Sequence, residues 1–290
     1  MSARGYRGII ILCALLALAA GATAAVGVFG RGSGATAAAV SIRGEAFEYA
    51  TDGIYAFNPE RVVAEGVGWD VVTLLFAAPA LLLALPSIRR GSLGARLFAV
   101  GILAYLFYQY LMYSMFWALG PLFPVFIVLY AGAAAAIVWI VSTVDIGNLP
   151  GRFSAGFPRT GMAVFSVLVA LMLLGMWTQR IATGLGGDLA GAGLLGMPTL
   201  TVQAMDLGML VPLALLTAVM LVRRRPWGYL LAPVFAVKGV TMAGAICAML
   251  VSAALVEGSL EIAPFIAFAS VTVASGVLAW RMLRSTGAQA

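Results

Sequence analysis

The sequence predicts an all-α fold, a polytopic transmembrane bundle of about eight helices with both termini in the cytoplasm. Three observations predict it. Hydrophobic residues make up 63% of the 290 positions and charged residues only 10%, with a mean hydropathy of +1.05. A soluble domain carries about 25% charged residues. Too few polar groups remain to cover a water-facing surface, so lipid is the fitting solvent. Apolar runs approaching the ~20 residues needed to cross hydrocarbon recur eight times. Arginine density also alternates from one gap between runs to the next.

The first run, 9–29, follows Arg4 and Arg7 and contains Ala22-Thr23-Ala24, a candidate signal-peptidase site. The apolar stretch continues through Val28-Phe29, which favours a retained helix. Cleavage would leave seven helices and an outside N-terminus, with the other orientations unchanged. Residues 30–66 form an extracytoplasmic segment, in which Asp52-Gly53 is a hairpin-type turn signal and a small two-stranded or irregular cap is expected. A seven-helix bundle follows over 67–284, with runs at 67–85, 97–119, 122–144, 162–177, 204–222, 229–251 and 262–282. The run 162–177 is the shortest. Between it and the next lies 182–198, rich in glycine and read as a flexible loop in preference to a re-entrant segment. Residues 285–290 form a cytoplasmic tail.

Orientation follows from the arginines. One set of gaps holds Arg4, Arg7, Arg89, Arg90, Arg96, Arg152, Arg159, Arg223, Arg224, Arg225, Arg281 and Arg284. The alternate set holds only Arg31, Arg43, Arg61 and Arg180. The first set belongs in the cytoplasm, which points to the plasma or inner membrane. Most acidic residues fall on the opposite side, including Glu45, Glu48, Asp52, Glu60, Glu65, Asp188, Glu257 and Glu261. The net charge of +6 is therefore topological; no continuous basic face exists to hold nucleic acid.

The two halves share a pattern. Trp69-Asp70 opens one helix and Met205-Asp206 another; each closes on paired arginines and then a glycine, and each contains a proline, Pro79 or Pro212. Pro124 to Trp139 resembles Pro264 to Trp280. This reads as a parallel four-plus-four repeat, an arrangement that places ligand sites at the repeat interface. Chance likeness among apolar helices, with arginine ends imposed by topology, is the competing reading.

Lys238 is the sole lysine and lies near mid-membrane in its run. Facing lipid there costs roughly 2.5–3.5 kcal/mol or more. It is expected to face the bundle interior and find a partner, or lose its proton to desolvation. Asp70 and Asp206 are the available partners. Tyr105, Gln109 and Tyr113 recur every fourth residue and share a helix face at similar depth. Polar intramembrane residues also simply bond helices together, and Asp70 and Asp206 suit helix starts. Gly239, Ala243 and Cys247 are close-packing positions.

Catalytic signatures are absent. No nucleotide-binding glycine motif, nucleophile elbow or metal spacing occurs, histidine is missing, and Cys13 and Cys247 match no redox or metal pattern. Neither enzyme activity nor a cofactor is expected. Gly53-Ile54-Tyr55, Asp70-Val71-Val72-Thr73-Leu74, the tyrosine-rich third run and the stretch from Gly228-Tyr229 through Pro233 to Lys238 together resemble an uncharacterised group of bacterial multi-pass membrane proteins. The resemblance covers most of 53–243; it implies a membrane fold and brings no activity.

The functional expectation is transporter-like handling of a small polar solute or ion, with the bilayer as the other partner. Its site would be Lys238 with Asp70 and Asp206, lined by Gln109, Tyr105 and Tyr113 and opening outward. The alternative is a membrane sensor or accessory subunit that binds through 30–66.

Overall fold

The computed structural model describes residues 3–287. Among the described residues, eight helices are long and apolar enough to cross a membrane. They are α1 (Ala3–Phe29), α2 (Glu60–Arg89), α3 (Leu93–Phe116), α4 (Phe123–Ser142), α5 (Arg159–Leu185), α6 (Thr201–Val222), α7 (Pro226–Glu257) and α8 (Ile262–Arg284). The chain is thus a multi-pass, all-α membrane bundle. The run expected to be weakest, 162–177, belongs to one of the longer helices; α5 extends to Leu185 and includes polar residues that hydropathy alone discounts. Residues 288–290 of the expected tail lie outside the described residues.

Neighbours in the bundle repeat between the halves. The pairs α1–α2, α2–α3, α3–α4 and α1–α4 have counterparts in α5–α6, α6–α7, α7–α8 and α5–α8. α2 crosses to α7, α6 crosses to α3, and α3 and α7 meet at the centre. Glycines permit the close crossings. Gly101 sits against Val237, Gly68 against the backbone of Ala248 and Met249, and Gly239 against Ser275. One pair differs between the halves. α1 and α4 interlock, with Leu16 packed onto Gly132 and the Trp139 ring on Gly8, whereas α5 and α8 touch only sparingly.

Pro79 and Pro212 do not interrupt their helices. Each follows a single π turn, Thr73–Ala77 in α2 and Asp206–Leu210 in α6. Proline lacks the N–H that would reach the carbonyl four residues back, and its ring crowds that carbonyl. The carbonyls concerned, Leu75 and Gly208, are the middle residues of the two π turns, so the wider turn absorbs the missing bond. The π turns and the prolines are both 133 residues apart (Thr73 to Asp206, Pro79 to Pro212), whereas Asp70 and Asp206 are 136 apart. The structural counterpart of Asp206 is therefore Thr73, one turn beyond Asp70, which corrects the pairing of the two aspartates.

Residues 30–59 form a cap at the acidic end. Strands β1 (Thr36–Val40) and β2 (Ala46–Ala50) pair antiparallel, with Thr36 opposite Ala50 and Val40 opposite Ala46. Their turn is Ser41–Glu45 and not Asp52-Gly53: Ser41 N–H donates to Glu45 O at 2.8 Å, and Gly44 has φ +86°. Asp52 instead accepts from the Ser33 amide, and Gly53 (φ +86°) lies against the backbone of Arg31 and Gly32, where a side chain would collide. The turn signal marks where the chain folds back onto the end of α1. The loop after α5 is shaped into successive turns, and Phe47 of β2 packs on Gly196.

Candidate functional site

A cavity of about 340 Å³ penetrates the bundle from the acidic end, between α2, α3, α5, α6, α7 and α8. Trp69, Tyr108, Tyr113, Trp117 and Trp177 form much of its wall, and Asp206 lines it. Leu194 and Leu195 of the glycine-rich loop also border it. The loop therefore helps to enclose the cavity.

Arg61 stands at the mouth. Its guanidinium meets Glu65 at 3.0 Å, Glu257 at 3.0 Å and Glu261 at 2.6 Å, tying α2 to the segment joining α7 and α8. One cation against three carboxylates leaves this end net acidic. Arg180 also lines the cavity and stacks over the Trp177 ring at 5.4 Å.

Asp206 lies deeper. It opens the π turn of α6 and is 3% exposed. Tyr108 hydroxyl donates to Oδ1 at 2.5 Å, and Trp177 Nε1–H donates to Oδ2 at 2.8 Å. Both oxygens are thus engaged by neutral donors.

Lys238 is 5% exposed. Its Nζ lies over the Tyr108 ring, 4.4 Å from the centroid, and is in contact with Met242 Sδ. Among the described residues, no carboxylate lies within ion-pair distance of it. The expected contact with Asp70 and Asp206 is not formed. Tyr108 stands between Lys238 and Asp206, offering its ring to one and its hydroxyl to the other. Lys238 and Asp206 still line a common second cleft of about 50 Å³, with Met242 between the two recesses.

Asp70 belongs to a separate cluster. It is fully buried and accepts from Tyr55 hydroxyl at 2.5 Å, Tyr113 hydroxyl at 3.2 Å and Gln109 Nε2 at 3.3 Å. Thr73 Oγ1 donates to Gln109 Oε1 at 2.6 Å and lies 2.8 Å from the Tyr105 hydroxyl. The shared face of Tyr105, Gln109 and Tyr113 is present, but it turns toward α2 and away from Lys238. Asp70, Gln109 and Tyr105 lie outside the cavity lining, which Tyr113 joins. Trp69 links the clusters, stacking on Tyr105 at 5.8 Å and on Tyr108 at 6.4 Å. A carboxylate without a cation requires several donors to offset its desolvation, and the tyrosines supply them.

Tyr55, Thr73, Tyr108 and Trp177 were not singled out by spacing. Tyr108 flanks the expected stripe by three residues, which is also one helical turn. Tyr55 comes from the cap, which no periodicity links to a helix. No protein-family model matches the chain, and comparison with curated proteins and with solved structures returned no significant match.

Proposed function

We propose that this multi-pass membrane protein is transporter-like and binds a small solute or ion in the cavity that ends at Asp206. The supporting observation is a cavity of about 340 Å³ leading from the acidic end to a buried carboxylate, with the Lys238 amino group one tyrosine away. Burying unlike charges without direct pairing is costly. Such groups favour a ligand that completes them. On this reading the acidic end faces outward across the plasma or inner membrane, and the net acidic cluster around Arg61 gathers cations at the mouth.

The test is thermal stabilisation of the purified full chain by panels of amino acids, organic cations, monocarboxylates and alkali cations. A true ligand at 100 times its Kd adds about 2.7 kcal/mol of stability. Asp206→Asn and Lys238→Met are expected to lose that gain while retaining the helical circular dichroism of the parent. Hits are then followed as uptake into proteoliposomes. Stabilisation and uptake unchanged in both variants would reject the site.

The sensor reading draws on the cap. Val40 and Ile42 near the hairpin turn are 70% and 88% exposed, and Phe47 rests on the loop that borders the cavity. Removal of 36–50 that abolishes a cellular response, with solute binding intact, would favour it.

A further inference from the structure

The cleft holding Lys238 differs from the outer cavity in where it lies. Val169, Met172 and Leu173 of α5 and Phe268 and Val271 of α8 wall it. These residues sit near the middle of their spans, where α5 and α8 meet only sparingly. In the other half the corresponding α1–α4 seam is filled, by Leu16 on Gly132. The cleft is therefore a gap in the lipid-facing wall of the second half. At its floor is the Lys238 amino group, whose donors find, among the described residues, only a thioether and a ring face. Sulfur is a weak acceptor.

We infer that this cleft admits the carboxylate end of a long-chain amphiphile from the bilayer and sets it on Lys238. The idea rests on the transporter reading and goes beyond it: the ligand class it names reaches Lys238 through the lipid-side cleft and not through the outer cavity. Hydrogen-bonding capacity selects the anion: both oxygens of Asp206 are already engaged by Tyr108 and Trp177, whereas among the described residues Lys238 keeps donors for an incoming acceptor. Size selects the head group. About 50 Å³ exceeds the ~10–15 Å³ that holds one water and falls well below the ~150 Å³ that holds benzene, a size suited to a group as small as a carboxylate. The walls select the tail, which extends from the cleft into acyl chains while the charged end crosses near mid-membrane. Met242 is the movable part: it caps the ammonium, lines both recesses, and its unbranched side chain repacks readily. Displacing it would join the lipid-side cleft to the outer cavity.

The experiment uses the full chain in lipid nanodiscs with palmitic acid bearing a diazirine near the carboxyl, and the matching fatty alcohol and fatty amine. Adducts are mapped by mass spectrometry. The acid is expected to label α5, α7 and α8 around Val169, Met242 and Val271 in preference to the alcohol and amine. Lys238→Met is expected to lower acid labelling at least about tenfold, in keeping with loss of one member of a buried charge pair, and to leave alcohol labelling unchanged. Lys238→Arg should restore part of it. Val271→Trp, which fills the cleft and leaves Lys238 in place, should block the acid as well. Acid labelling equal to that of the alcohol, or indifferent to both Lys238→Met and Val271→Trp, overturns the inference, as does preference for the amine. Solute stabilisation that persists while acid labelling fails removes the amphiphile alone; failure of both removes the transporter reading with it.

Discussion

Gly27 shows how a single residue can matter without carrying any chemical group. Its Cα faces the Asp70 carboxylate and the Tyr55 hydroxyl so closely that a Cβ would overlap both. Gly27→Val should destabilise the bundle by about 1–3 kcal/mol through overpacking, read as a drop in the thermal midpoint. Tyr55→Phe removes the shortest donor to Asp70 and should cost about 1–3 kcal/mol in the same assay, the range for leaving a buried acceptor short of a partner. Lys238, Asp206 and Asp70 were legible from sequence because charge in an apolar run is conspicuous. Their partners were not. Whether Tyr108 or Tyr105 meets Asp206 depends on helix rotation, which composition leaves undetermined.

At the level of elements, the π turns decide where polar side chains point. Pro212→Ala restores an N–H and allows the turn at Asp206–Leu210 to tighten. A shift of one residue in register rotates what precedes it by ~100°. Asp206 should then leave Tyr108 and Trp177, seen as a changed Trp177 emission and lost solute stabilisation in a protein that remains helical. The cap makes its own prediction. Asp52 is held below the ordinary carboxylate range by hydrogen bonding from the Ser33 side chain and then its backbone amide. A depressed folded value means that the contact contributes fully above the unfolded carboxylate pKa and is lost as pH falls through the folded one. Hydrogen exchange in 36–50 should therefore rise on acidification, and Asp52→Ala should flatten that dependence. Prolines 79 and 212 were visible in the sequence. That each produces a π turn in place of a break follows from packing on both sides, which keeps the helix continuous.

For the whole molecule, topology carries the decisive prediction. With the acidic end outward, Ile42→Cys should react with a membrane-impermeant maleimide in intact cells, and Ala155→Cys, in the arginine-rich segment before α5, should react only after permeabilisation. Labelling of both, or of neither, in intact cells would overturn the orientation. By itself the sequence determined the number of spans and the alternation of their ends. Hydrocarbon imposes a minimum length on every crossing, and arginine resists translocation, so both constraints act on local composition. Only the tertiary structure decided that Lys238 lies against a tyrosine and a thioether, that Asp70 and Asp206 belong to separate clusters, and that α5 and α8 leave a cleft between them. Those outcomes depend on how helices distant in the chain rotate and approach one another, and the small residues and π turns that govern such approaches act through space, with no periodicity along the chain to announce them.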